Sequence, residues 1–274
     1  MSVIVIYHKN CFDGICSAWV AWKKFEDYAN YIPMSYGDNL PYFPEGADIY
    51  FIDFSLKRKE LIQLDEVYKV TVIDHHKTAE KELEELDFCI FDMNESGASL
   101  AWRYFFPNKI IPRLVQYIKD RDLWRFNLHS SSYINAYIQS YDMDIKLYDM
   151  LAQELDTKDG FLAAQSIGMG IERYKKTMTE AICKNAAFGY SYPFYNTSVP
   201  IVATSTLFSE VGHELCKQFP DSPFSAYYFD RLKDNIRQWG LRSIGDFDVS
   251  EVAKKFGGGG HKNAAGFEQK LNEI

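Results

Sequence analysis

The chain has 274 residues, of which 47% are hydrophobic and 25% charged, so it is long enough for one large or two ordinary folded domains. Its formal net charge of -8 excludes the broad basic surface that wraps long duplex nucleic acid, and leaves open a small anionic substrate held by metals or local arginines. Five cysteines without a CxxC pair exclude a disulfide framework and a structural zinc site, and predict reduced thiols. The sequence has neither an export signal nor an apolar run of membrane length, so we expect a cytoplasmic protein without a membrane partner.

Strands and helices alternate in the first hundred residues. Apolar, β-branched runs predict strands at Ser2–Tyr7, Tyr31–Tyr36, Asp48–Phe54, Val70–Asp74 and Phe88–Phe91. Helical patterns lie between or after these strands, around 15–22, 57–66 and 98–106, and again at 111–122. Such alternation indicates βαβ units and a largely parallel sheet covered by helices on both faces.

Polar, metal-competent residues follow several of these predicted strands. After strands stand His8 and Asp13, Asp53, and the run Asp74-His75-His76; a fourth acidic cluster, Asp120 and Asp122, ends the predicted helix 111–122. Because ligands bind at the carboxyl edge of an open α/β sheet, we expect the strand-end residues to converge on one site. The alternatives are a plain surface turn for Asp74–His76 and a solvated helix end for the acids at 120 and 122.

The rest of the chain predicts a helical connector and a second α/β domain. Residues 126–188 are mainly helical in pattern, and strand-like pieces at 199–204, 224–229 and 235–242 then flank a helix near 208–218. We therefore expect a two-domain α/β protein, with an N-terminal catalytic domain at 1–125, the connector at 126–188 and a smaller C-terminal substrate-binding domain at 189–274.

Two motifs resemble those of the DHH phosphoesterase superfamily. One is Asp74-His75-His76; the other is the tail Gly257–Phe267, which is similar to the GGGHxxAAG signature of the DHH-associated C-terminal domain. Members of that superfamily include RecJ-type exonucleases, nanoRNases, pAp phosphatases, cyclic dinucleotide phosphodiesterases and class II pyrophosphatases. The tail resembles the pyrophosphatase branch poorly, so that branch is not the first choice.

The resemblance implies a site with two Mn²⁺ ions that activate a hydroxide for attack on phosphorus. The implied metal ligands are His8, Asp13, Asp53, His75 and Asp120, with Asp53 bridging the ions. Asp74 would orient a ligand, and His76 would face the scissile phosphate. Asp122 could form a salt bridge to Arg121 or Arg125 or bind a metal ion, and the salt bridge is at least as well supported.

One position departs from the family pattern. The first motif of the superfamily carries two acids, and Cys11 stands where the first acid is expected. A thiolate favours zinc or iron over manganese, so other divalent metals stay open at this site. The alternative for Cys11 is a small buried filler.

In the C-terminal domain the resemblance implies a clamp for a substrate phosphate. Its residues are Arg242, Ser243, Gly258, Gly259, Gly260 and His261. Glycines permit close approach of backbone N–H groups to phosphate oxygens, and a guanidinium binds phosphate in bidentate fashion. The alternatives are a surface strand residue for Arg242 and a flexible linker for the glycines.

The resemblance as a whole implies a manganese-dependent phosphodiesterase that hydrolyses short oligonucleotides or linear or cyclic dinucleotides. The acidic composition agrees with a short substrate rather than a long duplex. Two alternatives stay open: a small-molecule phosphatase of the pAp type, and a nucleotide-binding regulator without catalysis. The sequence leaves the oligomeric state open.

Overall fold

Two compact units, residues 1–172 and residues 173–274, make up the chain. The computed structural model describes residues 2–190, 193–194 and 197–273. We refer to the two parts as the N-terminal unit and the C-terminal unit. In the described part of the chain, no helix combines the length and apolar character that crossing a bilayer requires.

The apolar runs of the N-terminal unit form a parallel sheet. Its strands are β1 (Val3–His8), β2 (Ala29–Met34), β3 (Asp48–Ile52), β4 (Lys69–Asp74) and β5 (Cys89–Phe91). They pair in the order β2-β1-β3-β4-β5, every pair parallel. Strands buried on both faces are expected to be continuously apolar, and β1, β3 and β4 follow that rule. The predicted parallel α/β sheet is confirmed.

Helices connect and follow these strands. They are α1 (Phe12–Phe25), α2 (Arg58–Asp65), α3 (Lys77–Glu82), α4 (Gly97–Phe105), α5 (Arg113–Asp122), α6 (Ser131–Ile138), α7 (Ile145–Asp156) and α8 (Lys158–Cys183). Side-chain caps fix two of the starts: Ser96 accepts from the Ser99 N–H at α4, and Asp144 accepts from the next helix turn at α7. The long α8 continues past residue 172, where the two units divide.

Two hydrophobic clusters cover the two faces of the parallel sheet. Val5 of β1 packs with Trp19 of α1 and Leu114 of α5 on one face. Ile6 of β1 packs with Leu61 of α2 on the other face. Full burial of each such side chain contributes about 1.5–3 kcal/mol. The sheet is thus held rigidly on both sides, and its strand ends are fixed in position.

The second strand ends earlier than the sequence predicts. We expected Tyr31–Tyr36, whereas β2 is Ala29–Met34, and its last residue pairs with His8, the last residue of β1. A turn follows at once, since the Ser35 N–H donates to the Asp38 carboxylate at 2.9 Å. Tyr36 therefore lies in the loop beyond the strand end.

The C-terminal unit contains a mixed sheet with helices. Its strands are β6 (Ala187–Tyr190), β7 (Ser198–Ala203), β8 (Ser225–Arg231), β9 (Ile236–Arg242), β10 (Gly259–His261) and β11 (Ala264–Lys270), and its helices are α9 (Phe208–Gln218) and α10 (Val249–Lys254). The order is β10-β11-β9-β8-β7-β6. Among the described strands of this sheet, β7 and β8 pair parallel and the other pairs are antiparallel.

Three of the six described strands of the C-terminal unit, β7, β8 and β9, lie where the sequence predicts them, whereas β6 and β10 were not predicted as strands. The sequence missed β11, which pairs with β9 over its whole length. The buried core of this unit places Trp239 and Phe267 against Val249 of α10, while Val211 of α9 packs with Val202 in a separate cluster. Both faces of this sheet are therefore covered, as in an α/β domain.

Candidate metal centre

Three adjacent strands bring polar residues to one edge of the N-terminal sheet. His8 ends β1, Asp53 follows β3 directly, and Asp74 ends β4. Since β1, β3 and β4 are neighbours and run parallel, their carboxyl ends meet at the same edge. The residues after Asp74, His75 and His76, extend that edge into a short polar turn before α3.

The Asp53 carboxylate lies between two groups of side chains. Its Oδ1 is 3.1 Å from His75 Nε2, and its Oδ2 is 3.7 Å from His8 Nδ1. Asp53 is 1% exposed and its backbone has a φ of 56°, a left-handed conformation that is uncommon outside glycine. The two oxygens of one buried carboxylate thus face in two directions.

We call these groups the first cluster, made of His8, Asp53 and His76, and the second cluster, made of Asp13, His75 and Asp122. Within each cluster the potential ligand atoms all lie within 4.8 Å of one another. In the second cluster, His75 Nε2 is 3.6 Å from Asp13 Oδ2 and 3.5 Å from Asp122 Oδ2. Carboxylate and imidazole groups at such spacing are the ligands that divalent first-row metals take.

Several atoms of the clusters are buried without a hydrogen-bond partner among the described residues. They are His8 Nδ1, Asp53 Oδ2 and Asp122 Oδ2. Buried polar atoms are usually paired, so these atoms, two in the first cluster and one in the second, indicate room for a positively charged partner in each cluster. The donor set therefore fits divalent cations in both clusters.

The electrostatics of the second cluster lead to the same conclusion. Burial, followed by the nearby Asp53 and Asp122, raises the pKa of Asp13 well above its usual value. Burial also raises the pKa of Asp122. Burial lowers the pKa of His75, but Asp122 and Asp53 outweigh burial and the net shift is upward. Carboxylates this close resist ionisation together unless a cation neutralises them.

Asp13 is held by the start of α4. Its Oδ2 accepts from the Gly97 N–H at 2.5 Å and its Oδ1 from the Ala98 N–H at 3.2 Å. The positive end of a helix stabilises a carboxylate in this position. A Cβ at Gly97 would lie 2.5 Å from the Asp53 Cβ and 3.0 Å from Asp13 Oδ2, so only glycine permits this approach.

Asp74 holds the ring of His76. Asp74 Oδ1 lies 2.7 Å from His76 Nδ1 and also accepts from the His75 N–H at 2.7 Å. Burial would raise the pKa of Asp74, but His76 and the His75 N–H outweigh burial and hold the pKa of this carboxyl below its usual range. Burial lowers the pKa of His76, yet the Asp74 carboxylate prevails and the net shift is upward. The pair favours a protonated His76, so within the first cluster His8 and Asp53 are the groups left to bind a cation.

Of the two acids at the end of α5, the structure brings Asp122 and not Asp120 into a cluster. The predicted ligand Asp120 instead accepts from the backbone N–H groups of Asn127 and Leu128, at 3.0 and 3.1 Å. Its side chain therefore stabilises the chain reversal after α5. For Asp122 the sequence favoured a salt bridge at least as much as metal ligation. In the structure its carboxylate lies 3.5 Å from His75 Nε2, in the second cluster.

Known proteins are similar to the chain in sequence. No family model matches the chain. The chain is 31% identical over 285 residues to uncharacterized protein R106 of Acanthamoeba polyphaga mimivirus, covering 96% of this chain and 66% of that protein. It is 26% identical over 224 residues to oligoribonuclease NrnB of Bacillus subtilis (strain 168), covering 72% of this chain and 52% of that protein.

The chain belongs to the DHH phosphoesterase superfamily. Its DHH motif, Asp74-His75-His76, stands at the end of β4 among the two clusters. The chain spans about two thirds and about half of the lengths of the two relatives. Among solved structures, RecJ from Thermus thermophilus in complex with Mn²⁺ has a TM-score of 0.49 and 13% identity, covering 99% of this chain and 50% of that chain.

Cys11 is the position at which this DHH chain departs from the family pattern. It precedes α1 as its N-cap residue, two residues before Asp13. Burial, and then Asp53 and Asp122, raise the pKa of the Cys11 thiol well above its usual value. Without a bound cation Cys11 is therefore a neutral thiol beside the clusters.

In the C-terminal unit, the predicted clamp residues Arg242 and Ser243 follow one another at the end of β9. The Arg242 guanidinium donates to the Leu241 carbonyl at 2.8 Å and to Ser209 Oγ at 3.0 Å. Ser243 Oγ donates to the Phe247 carbonyl at 2.7 Å. Both side chains thus have partners within their own unit.

The predicted clamp glycines form part of a β-hairpin rather than a flexible linker. Gly259 and His261 begin and end β10, which pairs antiparallel with β11. A Cβ at Gly258 would overlap the Gly266 carbonyl oxygen, and Gly260 has a φ of 138° with the Ala264 oxygen 2.6 Å from its Cβ position. Tight strand packing therefore accounts for glycine at 258 and 260.

The sequence pattern missed two residues that support the clusters, Gly97 and Glu95. Glu95 is 4% exposed and accepts from Ser99 Oγ at 2.7 Å; its carboxylate lies 2.6 Å from Lys119 Nζ. It thereby joins the start of α4 to α5, which carries Asp122. The sequence does contain Ser96 as a helix cap before an apolar run. That pattern predicts the start of a helix, but not which residues from other elements lie against it.

Proposed function

We propose that the chain is a divalent-metal-dependent phosphoesterase that hydrolyses short nucleotide substrates, either short oligonucleotides or linear or cyclic dinucleotides. The observation that carries this proposal is the buried Asp53 carboxylate, whose two oxygens face the two clusters. Family membership and the similarity to an oligoribonuclease support the substrate class.

Each cluster would hold one divalent ion. His8 and Asp53 would hold the first ion, with the His76 ring beside it, and Asp13, His75 and Asp122 would hold the second, with Asp53 shared. Burial lowers the pKa of His8, which leaves its ring neutral and able to act as a ligand. Such ions supply Lewis acidity toward a phosphate ester and lower the pKa of water. Manganese is our first choice, because hard carboxylates dominate the donor set.

His76 would act as the proton donor of the reaction. The Asp74 carboxylate, 2.7 Å from His76 Nδ1, orients the ring and keeps it protonated. On substrate binding, Nε2 would donate a hydrogen bond to the phosphate or transfer a proton to the leaving oxygen. This assigns Asp74 a positioning role and His76 a catalytic one.

The C-terminal unit would select the substrate. Its candidate phosphate-binding residues remain Arg242, Ser243, Gly258, Gly259, Gly260 and His261. For Arg242 this requires exchange of its bond to Ser209 for one to phosphate, which a guanidinium can make at two oxygens. The net charge of -8 supports short substrates, which need few phosphate contacts. We also keep a cytoplasmic location as part of the proposal.

The test is hydrolysis of RNA oligonucleotides, from dinucleotide to pentanucleotide, by the full chain with and without Mn²⁺. We expect release of mononucleotide that requires the metal, and a loss of at least about 100-fold in kcat/KM for Asp53→Asn and His75→Ala. The matched control is Asp48→Asn. Asp48 begins β3, the strand that Asp53 follows, and lies 3.9 Å from Lys69 rather than near the clusters.

Three results would contradict the proposal in different ways. Wild-type activity in Asp53→Asn would refute the metal assignment. Faster turnover of a pAp-like monoester than of any diester would favour the small-molecule phosphatase. Tight binding of an intact dinucleotide without turnover in Mn²⁺, Co²⁺ or Zn²⁺ would favour the regulator.

A further inference from the structure

An exposed tyrosine lies beside the first cluster. Tyr36 follows β2, whose last residue pairs with His8, and its ring centroid is 5.9 Å from that of His8 in an edge-on arrangement. Its ring also packs against Phe54 at 4.9 Å, tilted by 35°. Phe54 directly follows Asp53 and is 1% exposed. The support beneath Tyr36 is therefore rigid and joined to the cluster.

Tyr36 nevertheless leaves most of its surface open. The residue is 57% exposed although an aromatic side chain gains stability from burial. Burial is the main cause that raises the pKa of the Tyr36 hydroxyl, so this end of the side chain lies nearer the protein than the rest of the ring. A ring packed against His8 and Phe54, with the rest exposed to solvent, is pre-ordered for contact with a flat partner.

We propose that the exposed part of the Tyr36 ring stacks on the nucleobase of the nucleotide whose phosphate lies at the first cluster. This proposal rests on the proposed function. It assigns Tyr36 to the nucleobase, which is the group that distinguishes a nucleotide from a simple phosphate ester. Stacking suits every base because each has a π-face, so Tyr36 would add affinity without reading sequence.

A second tyrosine of the same loop supplies the matched control. Tyr42 is 86% exposed and lies between β2 and β3, as Tyr36 does. Tyr42 is not part of either cluster as the structure describes them. Removal of this ring alters exposed aromatic surface to a similar degree and should leave nucleotide binding unchanged.

The experiment measures calorimetric Kd values for AMP and for ribose 5-phosphate, which differ by the base, with the Mn²⁺-loaded full chain. We expect Tyr36→Ala to weaken AMP binding roughly 5- to 100-fold and to leave ribose 5-phosphate within about 2-fold. Tyr36→Phe keeps the ring and should bind AMP nearly as the wild type does. Tyr42→Ala should match the wild type for both ligands.

The inference fails if Tyr36→Ala weakens both ligands equally, if it weakens neither, or if the wild type gains no affinity from the base. None of these outcomes depends on turnover. Hydrolysis of the RNA substrates, measured separately, decides the proposed function. If hydrolysis occurs, Tyr36→Ala should raise KM for a dinucleotide and leave kcat within about 3-fold, because stacking is remote from the reacting bond.

Discussion

One residue separates Asp120 from Asp122 on α5, yet the two carboxylates have different surroundings. Asp120 accepts from two backbone N–H groups of the following loop, whereas Asp122 lies near His75. We expect Asp122→Asn to lower Mn²⁺ affinity by about 10- to 100-fold, because it removes a charged donor from the second cluster. Calorimetric titration of the metal-free protein with Mn²⁺ measures this directly.

Asp120→Asn is the matched variant for that titration. It should leave Mn²⁺ affinity near the wild-type value and instead lower the free energy of unfolding by about 1.5–3 kcal/mol, because two charge-assisted hydrogen bonds weaken. Urea denaturation of the metal-free protein measures the loss. A large drop in metal affinity for Asp120→Asn, with none for Asp122→Asn, would restore the assignment that the sequence favoured.

Asp74 controls the protonation of His76, and this gives a prediction about pH. Since the Asp74 carboxylate raises the pKa of His76, it keeps the ring protonated to higher pH. Asp74→Asn should therefore move the alkaline limb of the kcat profile to lower pH and reduce kcat by about 10- to 100-fold. An unchanged limb, at any level of kcat, would exclude His76 as the group that titrates there.

At the scale of elements, the start of α4 fixes the spacing between the two carboxylates Asp13 and Asp53. Gly97→Ala would place a Cβ 2.5 Å from the Asp53 Cβ and 2.9 Å from its Cα. Either α4 or Asp53 must then shift, and the Gly97 N–H bond to Asp13 lengthens. We expect a drop in Mn²⁺ affinity of at least about 10-fold, measured by the same titration.

Gly170→Ala in α8 is the control for this glycine. A Cβ at Gly170 meets nothing within 4 Å, so alanine should be neutral or should stabilise the helix by up to about 1 kcal/mol. Equal Mn²⁺ affinity in Gly97→Ala and the wild type would show that the spacing between α4 and Asp53 is not needed for binding.

Hydrophobic periodicity explains which strands could be predicted from the sequence. The strands ending at His8 and Asp74 were predictable, because their apolar runs are buried on both faces and end abruptly in polar residues. The strand β11 was not, since AAGFEQK is poor in β-branched residues and depends on pairing with β9.

The sequence could not show which of Asp120 and Asp122 lies in the second cluster, for a different reason. The answer depends on where the loop after α5 returns, and the Asn127 and Leu128 N–H groups that hold Asp120 belong to that loop. Non-glycine residues in it adopt positive φ, Trp124 at 54° and Phe126 at 49°, which no local propensity predicts. Tertiary contacts therefore determined this part of the site.

For the whole molecule, the clusters make stability depend on pH and metal together. The pKa values of Asp13, Asp122 and His75 are all raised in the folded, metal-free chain. A group with a raised pKa binds its proton more tightly when folded, so its contribution to stability is present at low pH and is lost as pH rises. The metal-free protein should thus lose stability as pH rises above the ordinary pKa values of these groups, first those of the two carboxyls and then that of His75.

Mn²⁺ should reverse this trend, because a cation replaces the protons that these groups otherwise hold. Metal affinity rises with pH as protons leave the ligands, so the increase in Tm produced by saturating Mn²⁺ should be larger at about pH 8 than at about pH 6. Thermal unfolding of the full chain in chelator and in Mn²⁺ at both pH values measures the difference. Asp122→Asn should reduce it, since one of the mutually repelling carboxylates is gone, whereas Asp48→Asn should leave it unchanged. A Tm increase that is equal at both pH values, or larger at the lower one, would mean that the buried carboxylates and His75 do not bind the metal.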